Sequence, residues 1–145
     1  MSDEDMIKAA KIAQATEFIE SKPKKYDEEI SQGGTNVSGG QRQRLSIARA
    51  IAPDPEILVF DDSFSALDLK TDSKLRAALK EETKNKTVII VAQRISTILD
   101  ADKIIVLEEG KIVGIGNHDE LMKTCDIYKQ IALSQLSKEE LENGK

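Results

Sequence analysis

The sequence has 145 residues and contains no tryptophan, one histidine and one cysteine, and these scarcities exclude several classes of protein. The single thiol, Cys125, cannot form a disulfide within the chain, which excludes a disulfide-stabilised secreted scaffold. We interpret Cys125 as a small apolar residue near a helix end. The single imidazole, His118, excludes a metal centre built from several histidines.

Long apolar runs and an excess of positive charge are also lacking. No stretch approaches the roughly 20 apolar residues that a membrane-spanning helix needs, and the acidic start, Ser2 to Asp5, is unlike a signal peptide. A net charge of −5 disfavours a dominant nucleic-acid-binding surface. Because 39% of the residues are hydrophobic and 32% are charged, the composition is that of a globular protein, and the length favours one domain.

A short apolar run, Ile57 to Phe60, follows the turn-forming pair Asp54-Pro55 and ends in Asp61 and Asp62. The run predicts a strand that is buried on both faces, as in a parallel sheet covered by helices. Ligands bind beyond the carboxyl ends of such strands. There one carboxylate can hold Mg²⁺, and a second can orient or deprotonate an attacking water. Taken alone, however, such a pair of aspartates more often closes a strand and caps a turn.

A glycine-rich helix start precedes this run. Ser38 and Gln41 have the spacing of a capping box, in which each side chain accepts a hydrogen bond from the other residue's main-chain N–H. The helix is predicted to continue to Ile51. Gly39 and Gly40 lack side chains where the N–H groups of the first turn point outward, so a phosphate could approach closely. An ordinary capped amphipathic helix would show the same pattern.

Four motifs in one order make the pattern specific. Val37 to Gln41 (VSGGQ) resembles the signature motif of the ATP-binding cassette (ABC) family, and Ile57 to Asp62 (ILVFDD) resembles its Walker B strand. Ser65 to Asp68 (SALD) resembles its D-loop, and Val88 to Thr97 (VIIVAQRIST) resembles its switch strand and loop. The resemblance covers essentially the whole chain. The phrases VAQRIST and GKIVGIGNHDEL are most similar to the exporter branch.

The resemblance implies an α/β fold similar to that of the P-loop NTPases. It comprises a parallel sheet with flanking helices, part of the helical signature subdomain, and a C-terminal β-hairpin and helices. The chain would be the C-terminal part of one ATPase domain, with a signature subdomain (1–52), a catalytic core (53–125), and a C-terminal helix and tail (126–145).

The phosphate loop GxxxxGK[ST] does not occur among the 145 residues. Main-chain N–H groups and a lysine of that loop normally hold the β- and γ-phosphates. We therefore expect the sheet to be incomplete, lacking the phosphate-loop half, and the chain alone to have negligible ATPase activity.

The resemblance also implies cofactors, partners and site residues. The cofactors would be ATP and Mg²⁺, with Asp61 binding the Mg²⁺ through water. The signature of one subunit closes over ATP held by the partner domain, and the residues that would contact this ATP are Ser38, Gly39, Gly40 and Gln41. The D-loop would lie at the interface with a second ABC nucleotide-binding domain, and its residues are Ser65, Ala66, Leu67 and Asp68. The loop Glu28 to Gly34 would contact the transmembrane domain of the transporter.

Two residues depart from the family pattern. The position after the Walker B aspartate is usually glutamate but is Asp62 here, and the switch position is usually histidine but is Gln93. Asp62 is one methylene shorter, and Gln93 cannot carry a positive charge, so it is a poorer partner for charge that develops on phosphoryl oxygens. We predict that Asp62 and Gln93 are the catalytic residues and that their site binds ATP but hydrolyses it slowly.

An intact signature with a degraded hydrolytic set is the pattern expected of the degenerate-site subunit of a heterodimeric multidrug or lipid exporter. The leading hypothesis is therefore a subunit that couples ATP to transport, at the cytoplasmic face of the cell membrane, through a transmembrane domain absent from this chain. In a homodimer, both departures would be tolerated variants. A soluble, non-transport ABC ATPase and a non-hydrolytic regulatory module that clamps ATP remain alternatives. No nucleic-acid partner is expected.

Overall fold

The computed structural model describes residues 2–143, and it describes the side chains from residue 2 to residue 135. The chain divides into two compact units, Met1–Val91 and Ala92–Lys145. In chain order, the elements of the first unit are α1 (Asp3–Ile12), α2 (Thr16–Glu20), α3 (Gly39–Ile51), β1 (Ile57–Asp61), α4 (Leu69–Glu82) and β2 (Thr87–Val91). Those of the second are α5 (Ile95–Ile98), β3 (Ile104–Glu108), β4 (Lys111–Gly116), α6 (His118–Thr124) and α7 (Asp126–Asn143).

A bend separates α1 from α2 in the first unit. Ser2 begins α1 through a capping box with Asp5. Gln14, after the end of α1, adopts a φ of 57°, in the left-handed region that non-glycine residues adopt only rarely. The chain therefore changes direction before Thr16. The short, buried side chains of Ala9 and Ala10 face inward, and α1 packs against α3.

The strands β1 and β2 pair in parallel, from Ile57 opposite Thr87 to Asp61 opposite Val91. In β1, Leu58 and Phe60 are buried, whereas Ile57 and Val59 are 61% and 60% exposed. The prediction that this strand is buried on both faces is therefore wrong for this structure. An apolar run does not show how many faces of its strand are covered, and within the described residues the helices cover only one face of this sheet.

The second unit is built on an antiparallel hairpin, as the sequence analysis predicted. β3 and β4 pair from Ile104 opposite Gly116 to Glu108 opposite Lys111. The turn residues Glu109 and Gly110 have φ values of 47° and 75°, and left-handed backbone at both central positions is typical of a type I′ turn. A capping box between Asn117 and Glu120 begins α6. The helices α6 and α7 pack beside the hairpin through an apolar cluster comprising Ile95, Ile104, Val106, Leu121, Cys125, Tyr128 and Ala132.

The fold class agrees with the prediction. A small parallel sheet with helices, the helix that begins at the glycine-rich turn, and a C-terminal hairpin with two further helices are all present. Cys125 is buried at the end of α6, which confirms its interpretation as a small apolar residue. Within the part of the chain that the structure describes, no helix combines the length and apolar character needed to cross a membrane.

The core of the first unit makes a stability prediction. The side chain of Leu75 is fully buried on α4, whereas that of Leu69, in the first turn of the same helix, is 76% exposed. We expect Leu75→Ala to lower the free energy of unfolding of the chain by about 2–5 kcal/mol, because it removes buried methyl groups and leaves a cavity. Leu69→Ala is the matched control and should change it by less than about 0.5 kcal/mol. Urea unfolding followed by circular dichroism measures both, and equal losses would contradict the assigned core.

Candidate functional site

The glycine-rich turn folds as the start of α3, with the capping box that the sequence predicted. The Ser38 hydroxyl oxygen accepts from the Gln41 main-chain N–H at 3.2 Å, and the Gln41 side-chain oxygen accepts from the Ser38 N–H at 3.1 Å. Ser38 and Gly39 are exposed at this helix end. Main-chain N–H groups at a helix start favour bound anions. The turn therefore exposes a helix start of the kind that binds anions, and its contact with a phosphate remains a prediction.

The two glycines of the turn have different surroundings. A Cβ atom on Gly40 would lie 3.0 Å from the main-chain oxygen of Ala66, which is closer than ordinary contact. A Cβ atom on Gly39 would meet the Ala66 Cβ at 3.8 Å, an ordinary van der Waals distance. Gly40 therefore allows α3 to approach the loop that contains Ala66. The sequence analysis explained both glycines by access for a phosphate, and for Gly40 the structure adds this second reason.

A glutamine that the sequence analysis did not single out connects α3 to the same loop. The Gln43 side-chain nitrogen donates to the Ser65 hydroxyl at 3.0 Å and to the Asp62 main-chain oxygen at 3.2 Å, and its oxygen accepts from the Ala66 N–H at 2.8 Å. One side chain thus bonds to three residues of the loop that follows β1. The position of Gln43, just beyond Gln41, could have marked it as a residue beside the glycine-rich turn. Its partners could not be found from the local sequence, because they lie about 20 residues away.

Asp61 and Asp62 lie at the carboxyl end of β1, as predicted. Asp61 is the last residue of the strand, and the Asp62 main-chain N–H donates to the Val91 oxygen at the end of β2, at 3.2 Å. Asp62 adopts a φ of 46°, a left-handed conformation that costs energy for a residue with a side chain. The Ser65 hydroxyl donates to the Asp62 carboxylate at 3.3 Å. The backbone is thus turned sharply at Asp62, and neighbouring groups hold it there.

The carboxylates of Asp61 and Asp62 fit a magnesium ion only together with other ligands. Both residues are exposed. Among residues 2–135, no group of three or more His, Cys, Asp or Glu side chains could hold a metal ion. One or two carboxylates are, however, the usual protein share of a Mg²⁺ site whose other ligands are waters and substrate phosphates. The residues present therefore fit Mg²⁺ bound with a nucleotide and do not fit a metal bound by protein alone.

The loop from Ser65 to Asp68 joins β1 to α4. Leu67 is buried, whereas Ser65, Ala66 and Asp68 are exposed. The Asp68 carboxylate caps α4 by accepting from the Thr71 main-chain N–H at 2.9 Å. Hydrogen bonds from the Thr71 side chain and main chain lower the pKa of Asp68. The local role of Asp68 is thus to begin α4, and its role at an interface remains a prediction.

Arg44 anchors α3 to the first two helices. Its guanidinium donates to the Gln14 main-chain oxygen at 2.7 Å and lies 4.8 Å from the centre of the Phe18 ring. The charge therefore satisfies the carbonyl at the strained bend between α1 and α2, and it stacks on an aromatic face. Through Arg44 and Gln43, α3 is held between the first two helices and the loop after β1.

The predicted switch residue, Gln93, belongs to the second unit. It precedes α5 and is exposed. Its main-chain oxygen accepts from the Gln135 side-chain nitrogen at 2.7 Å, and the Gln135 side-chain oxygen accepts from the Ile95 N–H, also at 2.7 Å. No feature of the sequence pointed to Gln135, because it lies 42 residues from Gln93 on a different element.

Comparisons with known proteins agree with the motifs. Residues 2–65 match the protein family described as ABC transporter. An uncharacterised ABC transporter ATP-binding protein of Mycobacterium tuberculosis is 45% identical over 135 residues, which is 93% of this chain and 23% of the relative. P-glycoprotein 14 of Caenorhabditis elegans is 45% identical over 132 residues, which is 91% of this chain and 10% of the relative. The chain therefore spans less than a quarter of the length of these curated relatives.

A solved structure extends the likeness to three dimensions. It is described as a bacterial Atm1-family ABC exporter with ATP bound. The two chains superpose with a TM-score of 0.87 at 35% sequence identity, over 92% of this chain and 23% of the other. The likeness therefore extends over most of the chain and covers less than a quarter of the exporter.

The close approach of α3 to Ala66 makes a prediction for the two glycines. We expect Gly40→Ala to destabilise the chain by about 1–3 kcal/mol, because the new methyl group must displace the Ala66 carbonyl. Gly39→Ala is the matched control, with the same change one residue earlier, and should be neutral or slightly stabilising, since alanine favours helix. Thermal unfolding of both variants measures the difference. A Gly39→Ala variant at least as unstable as Gly40→Ala would contradict the packing argument.

Proposed function

The chain belongs to the ABC transporter family, and from this premise we propose that it is the signature-bearing part of an ATPase domain that powers export across a membrane. The observation that carries the proposal is the order of VSGGQ, ILVFDD and SALD on a fold that superposes on an ATP-bound exporter. The whole protein would be an ATP-driven translocase. Its ATPase domain would lie at the cytoplasmic face of the cell membrane and act through a transmembrane domain.

The start of α3 would bind the ATP of a partner domain. The Ser38 hydroxyl and the exposed N–H groups of Gly39 and Gly40 would donate to the γ-phosphate, and Gln41 would hold Ser38 in place through the capping box. The helix dipole adds favourable potential for the phosphate charge. Gln43 couples this turn to the D-loop, so the signature and the interface loop would meet the partner as one rigid surface.

The residues at the end of β1 would serve the chain's own ATP. Asp61 would bind Mg²⁺ through water, and this ion would neutralise charge on the phosphates when bound. Asp62 would accept a proton from, or orient, the water that attacks the γ-phosphate. Gln93 would donate a hydrogen bond to the phosphoryl oxygens. Both departures from the family pattern weaken hydrolysis, because Asp62 reaches less far than glutamate and Gln93 lacks a positive charge.

The resulting protein would be one half of an asymmetric pair. Its signature would complete an active site on a partner ABC nucleotide-binding domain, and its own site would bind ATP with slow turnover. Such a heterodimer would hydrolyse ATP mainly at the partner's site. The regulatory alternative, in which the degenerate site clamps ATP without hydrolysing it, is favoured by Asp62 and Gln93. In either case the signature of this chain is expected to work on the partner's ATP.

The first prediction tests the signature. The chain is mixed with a partner cassette domain that has an intact phosphate loop, a glutamate after its Walker B aspartate and a switch histidine. We expect ATPase activity on mixing, and we expect Ser38→Arg to abolish it, because the long cation removes the cap and blocks the phosphate position. Ser46→Arg is the control, since Ser46 is an exposed serine on the same helix. Release of phosphate measures the rates.

Two outcomes of the mixing experiment would contradict the proposal. One is activity that is indifferent to Ser38→Arg, because the signature then does not contribute to hydrolysis. The other is measurable ATPase activity of the chain alone that Asp61→Ala abolishes. The chain would then bind and hydrolyse ATP by itself, although its sequence contains no phosphate loop.

The second prediction tests the degenerate site. In a complete transporter subunit that contains this chain, Asp62→Glu with Gln93→His should raise turnover at the chain's own site by about tenfold or more. The longer carboxylate reaches the water, and the imidazole can stabilise charge on the phosphoryl group. The control applies the same replacements, Asp119→Glu and Gln130→His, at exposed positions. Single-turnover hydrolysis of bound ATP measures the rate. A double variant as slow as wild type would show that Asp62 and Gln93 are not the cause of slow turnover.

A further inference from the structure

The side-chain amide of Gln135, on α7, pairs with the main chain on both sides of Arg94. Its nitrogen donates to the Gln93 oxygen and its oxygen accepts from the Ile95 N–H, each at 2.7 Å. Both groups of one amide are therefore used, in the way that a strand residue pairs with its neighbour. Two hydrogen bonds from one side chain fix the direction of the peptide units before and after Arg94.

Packing in the second unit places the amide where it can make these bonds. Ile95 is 5% exposed and Ala132 is fully buried, and both belong to the apolar cluster that joins the hairpin to α6 and α7. Ala132 precedes Gln135 by three positions, so the two lie on the same side of α7. At the other end of the cluster, the Tyr128 hydroxyl bonds to His118 at 2.8 Å. The position of Gln135 thus follows from burial of its neighbours on α7.

The hydrogen bond to the Ile95 N–H alone would be a helix cap. Arg94 precedes α5 and its side chain makes no capping hydrogen bond, so the Gln135 oxygen satisfies an N–H group that the helix start leaves unpaired. The hydrogen bond to the Gln93 oxygen has no part in capping, because it involves a carbonyl outside the helix. It constrains the main chain of Gln93, whose side chain is exposed.

We propose that Gln135 is a positioning residue for Gln93, and that α7 thereby sets the geometry of the switch side chain during ATP hydrolysis. The inference rests on the proposed function, in which Gln93 donates to the phosphoryl oxygens. A catalytic group must be held within a fraction of an ångström of its productive position. Gln93 is exposed and precedes a four-residue helix, and Gln135 constrains its main chain from 42 residues away.

The test uses Gln135→Met in the complete transporter that contains this chain. Methionine keeps an unbranched side chain of similar length and loses both hydrogen bonds. The hydrolytic carboxylate of the partner domain is neutralised, so that single-turnover hydrolysis reports on the site of this chain. We expect the rate at saturating ATP to fall on the order of tenfold, which is the loss of one to two net hydrogen bonds. The ATP concentration for half-maximal rate should change by less than about twofold, because Gln93 acts on developing charge.

Two comparisons separate positioning from a general loss of structure. Gln130→Met is the matched control, since Gln130 is an exposed glutamine on the same helix, and it should leave the rate unchanged. In a Gln93→Ala background, Gln135→Met should cause no further loss, because the residue through which it acts is gone. Hydrogen exchange at the Ile95 amide should become faster in Gln135→Met and remain unchanged in Gln130→Met.

Failure of this inference and failure of the proposed function give different results. Wild-type hydrolysis that Gln135→Met leaves unchanged would overturn the inference, as would an equal loss in the presence and absence of the Gln93 side chain. Unchanged exchange at the Ile95 amide would show that the amide does not hold the loop, which also overturns it. Absence of wild-type hydrolysis at this site, with partner-site activity that still requires Ser38, would instead refute the slow hydrolysis proposed for the chain's own site and leave the signature role standing.

Discussion

The contact between α3 and the loop after β1 is the constraint on which the first unit depends. Gln43 bonds to three residues of that loop, and Gly40 allows the helix to approach the Ala66 carbonyl. The helix that presents the glycine-rich turn is therefore locked to the segment that carries Asp62. Arg44 also ties this helix to the strained bend at Gln14. A displacement of α3 would therefore disturb both that bend and the loop after β1.

Two glutamine side chains, one in each unit, form the pair of hydrogen bonds with main chain that a neighbouring strand would form. Gln43 accepts from a loop N–H and donates to a loop carbonyl in the first unit, and Gln135 does the same in the second. In both cases the segment that is held contains a residue proposed to act on ATP, Asp62 or Gln93. The exposed residues Asp62 and Gln93 are not held in place by burial of their own side chains. A glutamine on a well-packed helix can supply the missing constraint, because its amide has both a donor and an acceptor.

Prediction from the sequence was accurate for local features and less so for burial. The capping box at Ser38, the strand ending at Asp61 and the C-terminal hairpin were all found as expected. The prediction that this strand is buried on both faces was wrong, since Val59 is 60% exposed. A run of apolar residues records that a strand has apolar faces, but coverage of those faces depends on which elements pack against it.

The sequence by itself determined the elements, the order of the motifs and the family. Each element and each motif is recorded in residues within a few positions of one another, where capping, turn chemistry and periodicity act. Only the tertiary structure decided that Gly40 faces Ala66, that Gln43 holds the loop after β1, and that Gln135 holds the main chain at Gln93. These partners are 23 and 42 residues apart for the hydrogen bonds of Gln43 to Ala66 and of Gln135 to Gln93. Their pairing follows from how the helices pack, and no local pattern in the chain records that packing.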